Sequence, residues 1–273
     1  MGIWGEQKTE KVSSKYSVPV NTIKCVVVEY SGNGSGHVQI MTQDLEKLGQ
    51  VTKQLNAGEL EAWDGTTKKV AAVMDGAYYR AQIMKQENDH VTVSFIDFGQ
   101  QDQVKTIDIR ALPSGLPLSM PAQATPFKLS FVDTPGLRER QGKESCRYFM
   151  ELVGQDLIMA NVDNESNGVV ELTMFPQEMP EEDSIVDTSA YNEAVNMQYK
   201  WCVNALMVKE GLGTLDQFVF DVLGGKSRAG VVEAKEMEII KCLEVYQEEA
   251  KRRRRGLWEF GDYLEYGGEG RRE

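Results

Sequence analysis

Histidine and cysteine are scarce in this sequence, with two histidines and four cysteines among 273 residues. The cysteines lie far apart and form no closely spaced pair of the kind that holds zinc, so the sequence predicts no metal site and no cofactor. Scattered cysteines without a disulfide framework are typical of a reduced, intracellular protein. We therefore expect a cytoplasmic location.

Long apolar runs are also missing. No stretch reaches the roughly 20 apolar residues that a membrane-spanning helix needs. The N-terminal sequence MGIWGEQKTEKV contains no apolar segment typical of a signal peptide. Gly2 would suit myristoylation, but Glu6 stands where that motif requires serine or threonine. The sequence thus predicts no membrane partner.

Positive charge is in deficit, since 30 Lys and Arg residues face 42 Asp and Glu residues, for a formal net charge of −12. Such a surface repels phosphate backbones and favours cationic partners, such as arginine- or lysine-rich peptides. The exception is the basic run at residues 251–255. Its members Arg252, Arg253 and Arg254 are candidates for RNA contact or a nuclear localisation signal, which leaves a nuclear location open. The favoured alternative is a helix C-terminus, where cations complement the helix dipole.

The strongest pattern lies in residues 70–100. Residues 79–83 and 91–95 alternate apolar and polar side chains, the period of half-buried strands. The polar residues 86–90 between them indicate a hairpin turn. Aromatic side chains gather near the strand ends, where they can enclose a cationic group, although composition alone favours a role as core. They are Tyr78, Tyr79, Phe95 and Phe98.

The flanking residues predict a mixture of strands and helices. Residues 23–30 and 37–41 form a hairpin, after which Thr42 caps a helix that runs to about Leu55. A helical turn at 107–113 closes the central β-unit. Further strands are predicted at 123–132, 157–162 and 169–175, and further helices at 138–153, 191–209 and 231–255.

Four motifs, in this order, resemble a known family. Residues 75–81 (DGAYYRA) and 93–99 (VSFIDFG) are similar to the Tudor-domain pattern. Residues 126–135 (PFKLSFVDTP) and 203–212 (VNALMVKEGL) resemble a strand-turn and a helix of staphylococcal nuclease, and residues 255–263 resemble the end of the same module. Across roughly residues 16–263 the chain therefore resembles the extended Tudor family, in which a Tudor domain interrupts a nuclease-like domain.

The resemblance implies an α+β fold, with a small Tudor β-barrel inserted into a split staphylococcal-nuclease-like domain. The split domain has an oligonucleotide/oligosaccharide-binding barrel (OB-fold) and takes residues 16–60 and 117–263. The Tudor domain takes residues 61–116, and the helix at 42–55 links the two. Family members carry nuclease-like repeats ahead of this module. The resemblance therefore implies that the chain is a C-terminal part, and that nuclease activity of a whole protein belongs to those repeats.

The resemblance also implies a site for symmetrically dimethylated arginine. In the family, four aromatic side chains enclose the guanidinium and a polar side chain bonds its N–H. These positions fall on Val73, Tyr79, Phe95, Phe98 and Gln100. Because Val73 replaces a phenylalanine and Gln100 an asparagine, we expect a partly degenerate cage with weakened affinity for Arg-Gly-rich partners. The neighbouring Tyr78 is expected to be a packing residue, and Asp97 to form structural hydrogen bonds in its turn.

The nuclease positions that the resemblance implies are largely replaced. The calcium-binding aspartate falls on Asp133, the glutamate on Gly136, and the two arginines on Lys128 and Asn167. A second calcium carboxylate has only Glu29 as a weak candidate. One retained ligand cannot hold Ca²⁺, which prefers six or more oxygens, so we expect no catalysis from this chain. Asp133 is better explained as a cap of its own turn.

These expectations combine into a non-catalytic methylarginine reader within an RNA-associated regulatory protein. The family acts in RNA processing, RNA silencing (RISC) and transcriptional coactivation, and RNA remains a second candidate partner. One alternative is an RNA-binding or nuclease-type module that uses the barrel face and residues 251–255. Another is a scaffold with a vestigial cage. Ring faces that converge near Val73 would favour the reader, and rings buried in one another the scaffold.

Overall fold

The computed structural model describes residues 22–113, 120–176, 199–224 and 234–261. The predicted helical residues 191–198 and 231–233, the end of the last family motif and the domain boundaries at 16 and 117 lie outside these ranges. The strands and helices are, in chain order, β1 (Thr22–Gly32), β2 (Ser35–Ile40), α1 (Gln43–Leu55), β3 (Lys69–Met74), β4 (Ala77–Glu87), β5 (His90–Phe95), β6 (Gln101–Lys105), β7 (Ile109–Ala111), β8 (Ala124–Leu129), β9 (Val132–Asp133), α2 (Gly142–Val153), β10 (Ile158–Ser166), β11 (Val169–Phe175), α3 (Val203–Lys209), β12 (Thr214–Leu215), α4 (Gln217–Leu223) and α5 (Ala234–Arg252).

Five strands from both ends of the chain close into a barrel, in the order β1-β10-β11-β8-β2. β1 carries two register shifts, between Val27 and Glu29 and between Tyr30 and Gly32. Such bulges bend a strand and let a small sheet close on itself. The interior is filled by inward-facing apolar side chains, including Val38, Phe127 and Leu172.

The residues between the two halves of the barrel form a second, separate sheet, in the order β6-β5-β4-β3-β7. Its buried cluster draws on every strand, as in a small barrel, and the members include Val70, Ala81, Val93, Val104 and Ile109. This cluster shares no residue with the barrel core. The arrangement confirms the predicted α+β fold with an inserted Tudor-type unit.

Helix α1 connects the two sheets and begins where the sequence predicts. Thr42 accepts a hydrogen bond from the Leu45 amide at 3.3 Å, which satisfies one of the free N–H groups of the first turn. Leu48 and Val51 pack against Ala71 of β3, so the helix braces the inserted sheet.

Several elements differ from the sequence prediction. Within the described part of the predicted helix 191–209, Tyr199–Trp201 form a 3₁₀ turn and Cys202 has an extended backbone, so α3 begins only at Val203. α5 ends at Arg252 rather than 255. The predicted turn at 107–113 is a short 3₁₀ helix, Thr106–Asp108, followed by strand β7. α2 begins at Gly142 rather than 138, after Gln141 in a left-handed conformation (φ 63°). α4 was not predicted, because seven residues are too few for a clear helical period.

The C-terminal helices pack on one side of the barrel. Every residue of α3 is buried, and Asn204 on this helix donates to the carbonyls of Ser130 and Leu172 at 2.9 and 3.0 Å. α5 packs on α3, and the short 3₁₀ helix that follows it, Gly256–Trp258, buries the Trp258 indole. Within the described residues, the helices are too short or too polar to span a membrane.

Candidate ligand-binding site

The site is built around the β3–β4 hairpin and the end of β5. Asp75 and Gly76 both have positive φ, 52° and 80°, the backbone of a two-residue hairpin turn whose twist matches that of the strands. This turn fixes the register, with Met74 opposite Ala77, Val73 opposite Tyr78 and Ala72 opposite Tyr79.

The structure brings two of the predicted cage residues together. The Tyr79 and Phe98 rings contact edge to face, with centroids 5.2 Å apart and planes at 84°. Both rings are half-buried and rest on the core of the inserted sheet. Two aromatic walls therefore meet at about a right angle and remain partly open to solvent, an arrangement that can contact a cationic group on two sides.

Phe95 lies in the core that supports these two rings. Its side chain has no solvent exposure and packs among the apolar residues of β3 to β7. Its backbone carbonyl accepts hydrogen bonds from the amides of Phe98 and Gly99, at 3.0 and 2.8 Å. Phe95 thus shapes the turn that carries Phe98, and its own ring is not exposed to a ligand.

The remaining two predicted cage positions are Val73 and Gln100. Val73 is opposite Tyr78, and because successive side chains of a strand point to opposite faces, it is on the other face of the sheet from Tyr79. Gln100 is exposed, and its carbonyl accepts from the Phe95 amide at 2.9 Å. The Gln100 side chain is accessible to solvent and lies two residues after Phe98 in the sequence.

Tyr78 packs on the helix side of the sheet, as the sequence predicts. It belongs to the cluster formed with α1, and the Arg110 guanidinium lies 6.0 Å from its ring centroid. The Asn56 side chain accepts from the Tyr78 amide at 2.8 Å and donates to its carbonyl at 2.9 Å. Asn56 thereby ties the end of α1 to β4.

A buried ion pair lies behind the aromatic pair, and it was not predicted from the sequence. Arg80 donates to both carboxylate oxygens of Asp97, at 2.8 and 2.5 Å, and the two side chains are 3% and 1% exposed. Arg80 also donates to the carbonyls of Met120 and Pro121, and the Gln123 amide donates to Asp97 at 3.1 Å. Asp97 does have a structural role, but its carboxylate bonds across the domain joint rather than within its own turn.

This ion pair positions the two aromatic side chains. Arg80 follows Tyr79 directly and Asp97 precedes Phe98, so the pair fixes the backbone that carries both aromatic walls. Side chains alternate along a strand, which lets the charges face the joint while the Tyr79 ring points away from it. A bidentate Arg–carboxylate contact has little freedom in distance or angle, so it holds the two chain segments in one geometry.

The barrel directly contacts the turn at residues 96–99, which carries Phe98. Gln39 of β2 donates to the Asp97 carbonyl at 2.6 Å. The His37 ring lies against Gly99 so closely that a Cβ at this position would overlap it, which explains why the turn needs glycine here. His37 in turn bonds Glu29 at 3.0 Å. The turn that carries Phe98 therefore lies at the junction of the inserted sheet and the barrel.

The positions that the family resemblance assigns to a nuclease site make other contacts. Lys128 and Asp133 form an exposed ion pair at 3.3 Å. A side chain on Gly136 would lie 2.9 Å from the Asn33 amide oxygen, and Asn167 occupies the tight β10–β11 turn with φ 53°. Glu29 pairs with His37 instead. Across the described ranges, no group of three His, Cys, Asp or Glu side chains could hold a metal ion.

The basic run is largely neutralised by acidic neighbours. Arg252 and Arg253 both pair with Glu249, whose side chain is 8% exposed. Lys251 pairs with Glu248, and Arg255 with Glu210 at 2.9 Å. Arg254 is exposed and has a left-handed backbone (φ 53°) just beyond the end of α5. The run thus forms the C-terminal end of a helix, the interpretation favoured from the sequence.

Comparisons with known proteins agree with this architecture. A family model of the Tudor domain matches residues 16–130. Staphylococcal nuclease domain-containing protein 1 of Schizosaccharomyces pombe is 24% identical over 284 residues, which covers 97% of this chain and 29% of that protein. The chain therefore spans less than a third of this relative's length.

Two solved structures show the same fold. The extended Tudor domain of Drosophila melanogaster Tudor-SN (p100) superposes with a TM-score of 0.65 at 21% identity, covering 87% of this chain and 99% of that one. The extended Tudor domain TD3 of mouse TDRD1, in complex with a MILI peptide containing dimethylarginine, superposes with a TM-score of 0.57 at 19% identity. This match covers 74% of this chain and 97% of that one.

Fold and comparisons together define the class: the chain has the extended Tudor fold, and its residues 16–130 match the Tudor-domain model. Within that class it resembles the extended Tudor domain of Tudor-SN over most of its length.

Proposed function

We propose that this chain is a non-catalytic reader of symmetrically dimethylated arginine in partner proteins. The observation that carries the proposal is the half-exposed, perpendicular pair of Tyr79 and Phe98 at the junction of the two domains. The net charge of −12 favours arginine-rich partners. The related TD3 domain of mouse TDRD1 forms its complex with a dimethylarginine peptide, which supports the same ligand class here.

The binding is expected to be weak. Each aromatic contact with a desolvated cation is worth roughly 0.5–2 kcal/mol, and only two rings of this cage are accessible. We expect a dissociation constant on the order of 0.1–1 mM for a short symmetric-dimethylarginine Arg-Gly peptide. The unmodified peptide should bind more weakly, because methylation adds apolar surface and makes the guanidinium easier to desolvate.

Titration of the peptide by calorimetry or NMR tests the proposal. Phe98→Ala should abolish measurable binding, because it removes one of the two walls. Phe260→Ala is a matched control, since Phe260 is 58% exposed and lies far along the chain beside Arg140. The proposal is contradicted if millimolar peptide produces neither heat of binding nor a change in chemical shift. It is also contradicted if Phe98→Ala and Phe260→Ala lose peptide affinity equally.

We further propose that the nuclease site of this chain is inactive, and that the module acts within a longer, RNA-associated cytoplasmic protein. The residue types at Lys128, Gly136 and Asn167, and the pairing of Asp133 with Lys128, support the first point. The greater length of the Schizosaccharomyces pombe relative supports a longer protein, and the name of another relative, Ribonuclease TUDOR 2 of Arabidopsis thaliana, supports the RNA association. Incubation with single-stranded RNA or DNA and Ca²⁺ should give no cleavage above that of an Asp133→Ala variant. Robust cleavage that this substitution abolishes would overturn the assignment.

A further inference from the structure

We propose that Met74, and not Val73, forms the third wall beside Tyr79 and Phe98. The inference rests on the proposed function, because it assigns a further specificity-determining residue to the same site. Family resemblance points to Val73 for this role, whereas the strand register points to its neighbour.

The register decides which side chains share a face. Residues directly opposite each other in an antiparallel pair lie on the same side of the sheet. Val73 is opposite Tyr78, and Met74 is opposite Ala77. Because faces alternate along each strand, Met74 and Ala77 share the face of Ala72 and Tyr79, whereas Val73 and Tyr78 share the other.

Packing agrees with this division. Met74, Tyr79 and Phe98 all pack against the core of the inserted sheet. Tyr78 packs on the opposite side, in the cluster formed with α1. Val73 belongs to the face on which Tyr78 lies, so a phenylalanine there would point away from the aromatic pair.

Met74 also has the right position along the strand. It ends β3 immediately before the Asp75-Gly76 turn and is a diagonal neighbour of Tyr79, a separation of about 7–8 Å that long side chains can bridge. Ala77, directly opposite Met74, carries only a methyl group and leaves space above Tyr79. Met74 itself is half-buried, so part of its side chain remains accessible.

A methionine wall has chemical consequences. The thioether chain is unbranched, flexible and polarisable, so it can adapt to the methyl groups of a methylated guanidinium. It has no aromatic face, however, and therefore contributes no cation–π attraction. A site with two aromatic walls and one methionine wall would therefore prefer the methylated over the unmodified arginine through apolar contact. Its affinity for either ligand would stay low.

NMR of the native protein with ¹³C-methyl-labelled methionine tests the inference. Addition of the symmetric-dimethylarginine Arg-Gly peptide should shift the Met74 methyl resonance, while that of Met84, which is 54% exposed on β4, should stay in place. If binding depends on Phe98 and the Met74 methyl does not respond, the inference fails and the proposed function stands. If peptide binding does not depend on Phe98, the inference and the proposed function both fail.

Two paired substitutions give an independent measurement. Met74→Phe adds an aromatic face to the cage and should tighten peptide binding at least about threefold. Val73→Phe should change the affinity by less than about twofold, because its ring lies on the other face. Tightening by Val73→Phe alone would restore the family assignment and overturn ours. Thermal unfolding of both variants establishes that each is folded before titration.

Discussion

The Arg80–Asp97 pair is the residue-scale feature on which the site depends. Both side chains are almost fully removed from water, and each has additional backbone partners in residues 120–123. Desolvation of two charges is costly, so such a pair adds stability only while every hydrogen bond is made. The pair is therefore better described as fixing geometry than as a large net source of stability.

Asp97→Asn should lower the free energy of unfolding by about 3–5 kcal/mol, because the buried Arg80 charge loses its partner. The exposed pair of Lys128 and Asp133 gives a matched comparison, and Asp133→Asn should cost less than about 1 kcal/mol. Urea unfolding of the two variants measures both values. A similar loss of unfolding free energy in the Asp97→Asn and Asp133→Asn variants would mean that the buried pair contributes no more than an exposed one.

At the scale of elements, α5 ends in charges that serve the helix. Cations in the last turn complement the helix dipole, and three of them also pair with glutamates one turn earlier. These pairs leave little positive potential for a phosphate backbone. A role of this run in RNA binding is therefore not supported by its surroundings.

Arg253→Glu should lower the free energy of unfolding by about 1 kcal/mol, because it places a like charge beside Glu249. Arg254→Glu is the control, since the exposed Arg254 side chain has no ion pair in the described part of the chain. RNA affinity, measured by filter binding, should be the same for both variants and the native protein. A clear drop in either variant would show that the run binds RNA.

The whole molecule holds several ionisable groups in a neutral, buried form. Burial raises the pKa of the Cys25 and Cys242 thiols from 9.0 to about 12, and that of the Tyr148 hydroxyl from 10.0 to about 12. Above pH 9 the unfolded chain releases these protons while the folded protein retains them. Ionisation therefore favours the unfolded state increasingly as the pH rises.

The free energy of unfolding should thus fall steadily between about pH 9 and pH 12. Chemical denaturation at closely spaced pH values measures this slope, and Cys25→Ala with Cys242→Ala should make it shallower. Each alanine also leaves a small cavity that lowers stability at every pH, so the comparison concerns the slope and not the absolute value. An unchanged slope would mean that the thiols ionise equally in both states.

Local sequence determined much of this protein. The Thr42 cap, the hairpin turn within residues 86–90 and the alternation in β5 depend on the chemistry of neighbouring residues, and all three are present as predicted. The family motifs added the inserted arrangement and pointed to Tyr79 and Phe98, whose rings are in contact. Such features are readable because their causes lie within a few residues of each other.

The tertiary structure decided which aromatic side chains are accessible. Tyr79 and Phe98 meet at the surface while Phe95 is buried, although all three fit the same motif. The face of Val73 follows from strand register, in which a shift of one residue reverses every side chain. The contact of Arg80 with Asp97 joins two strands and the second half of the barrel domain. These outcomes depend on distant segments packing together, and no local pattern in the chain encodes them.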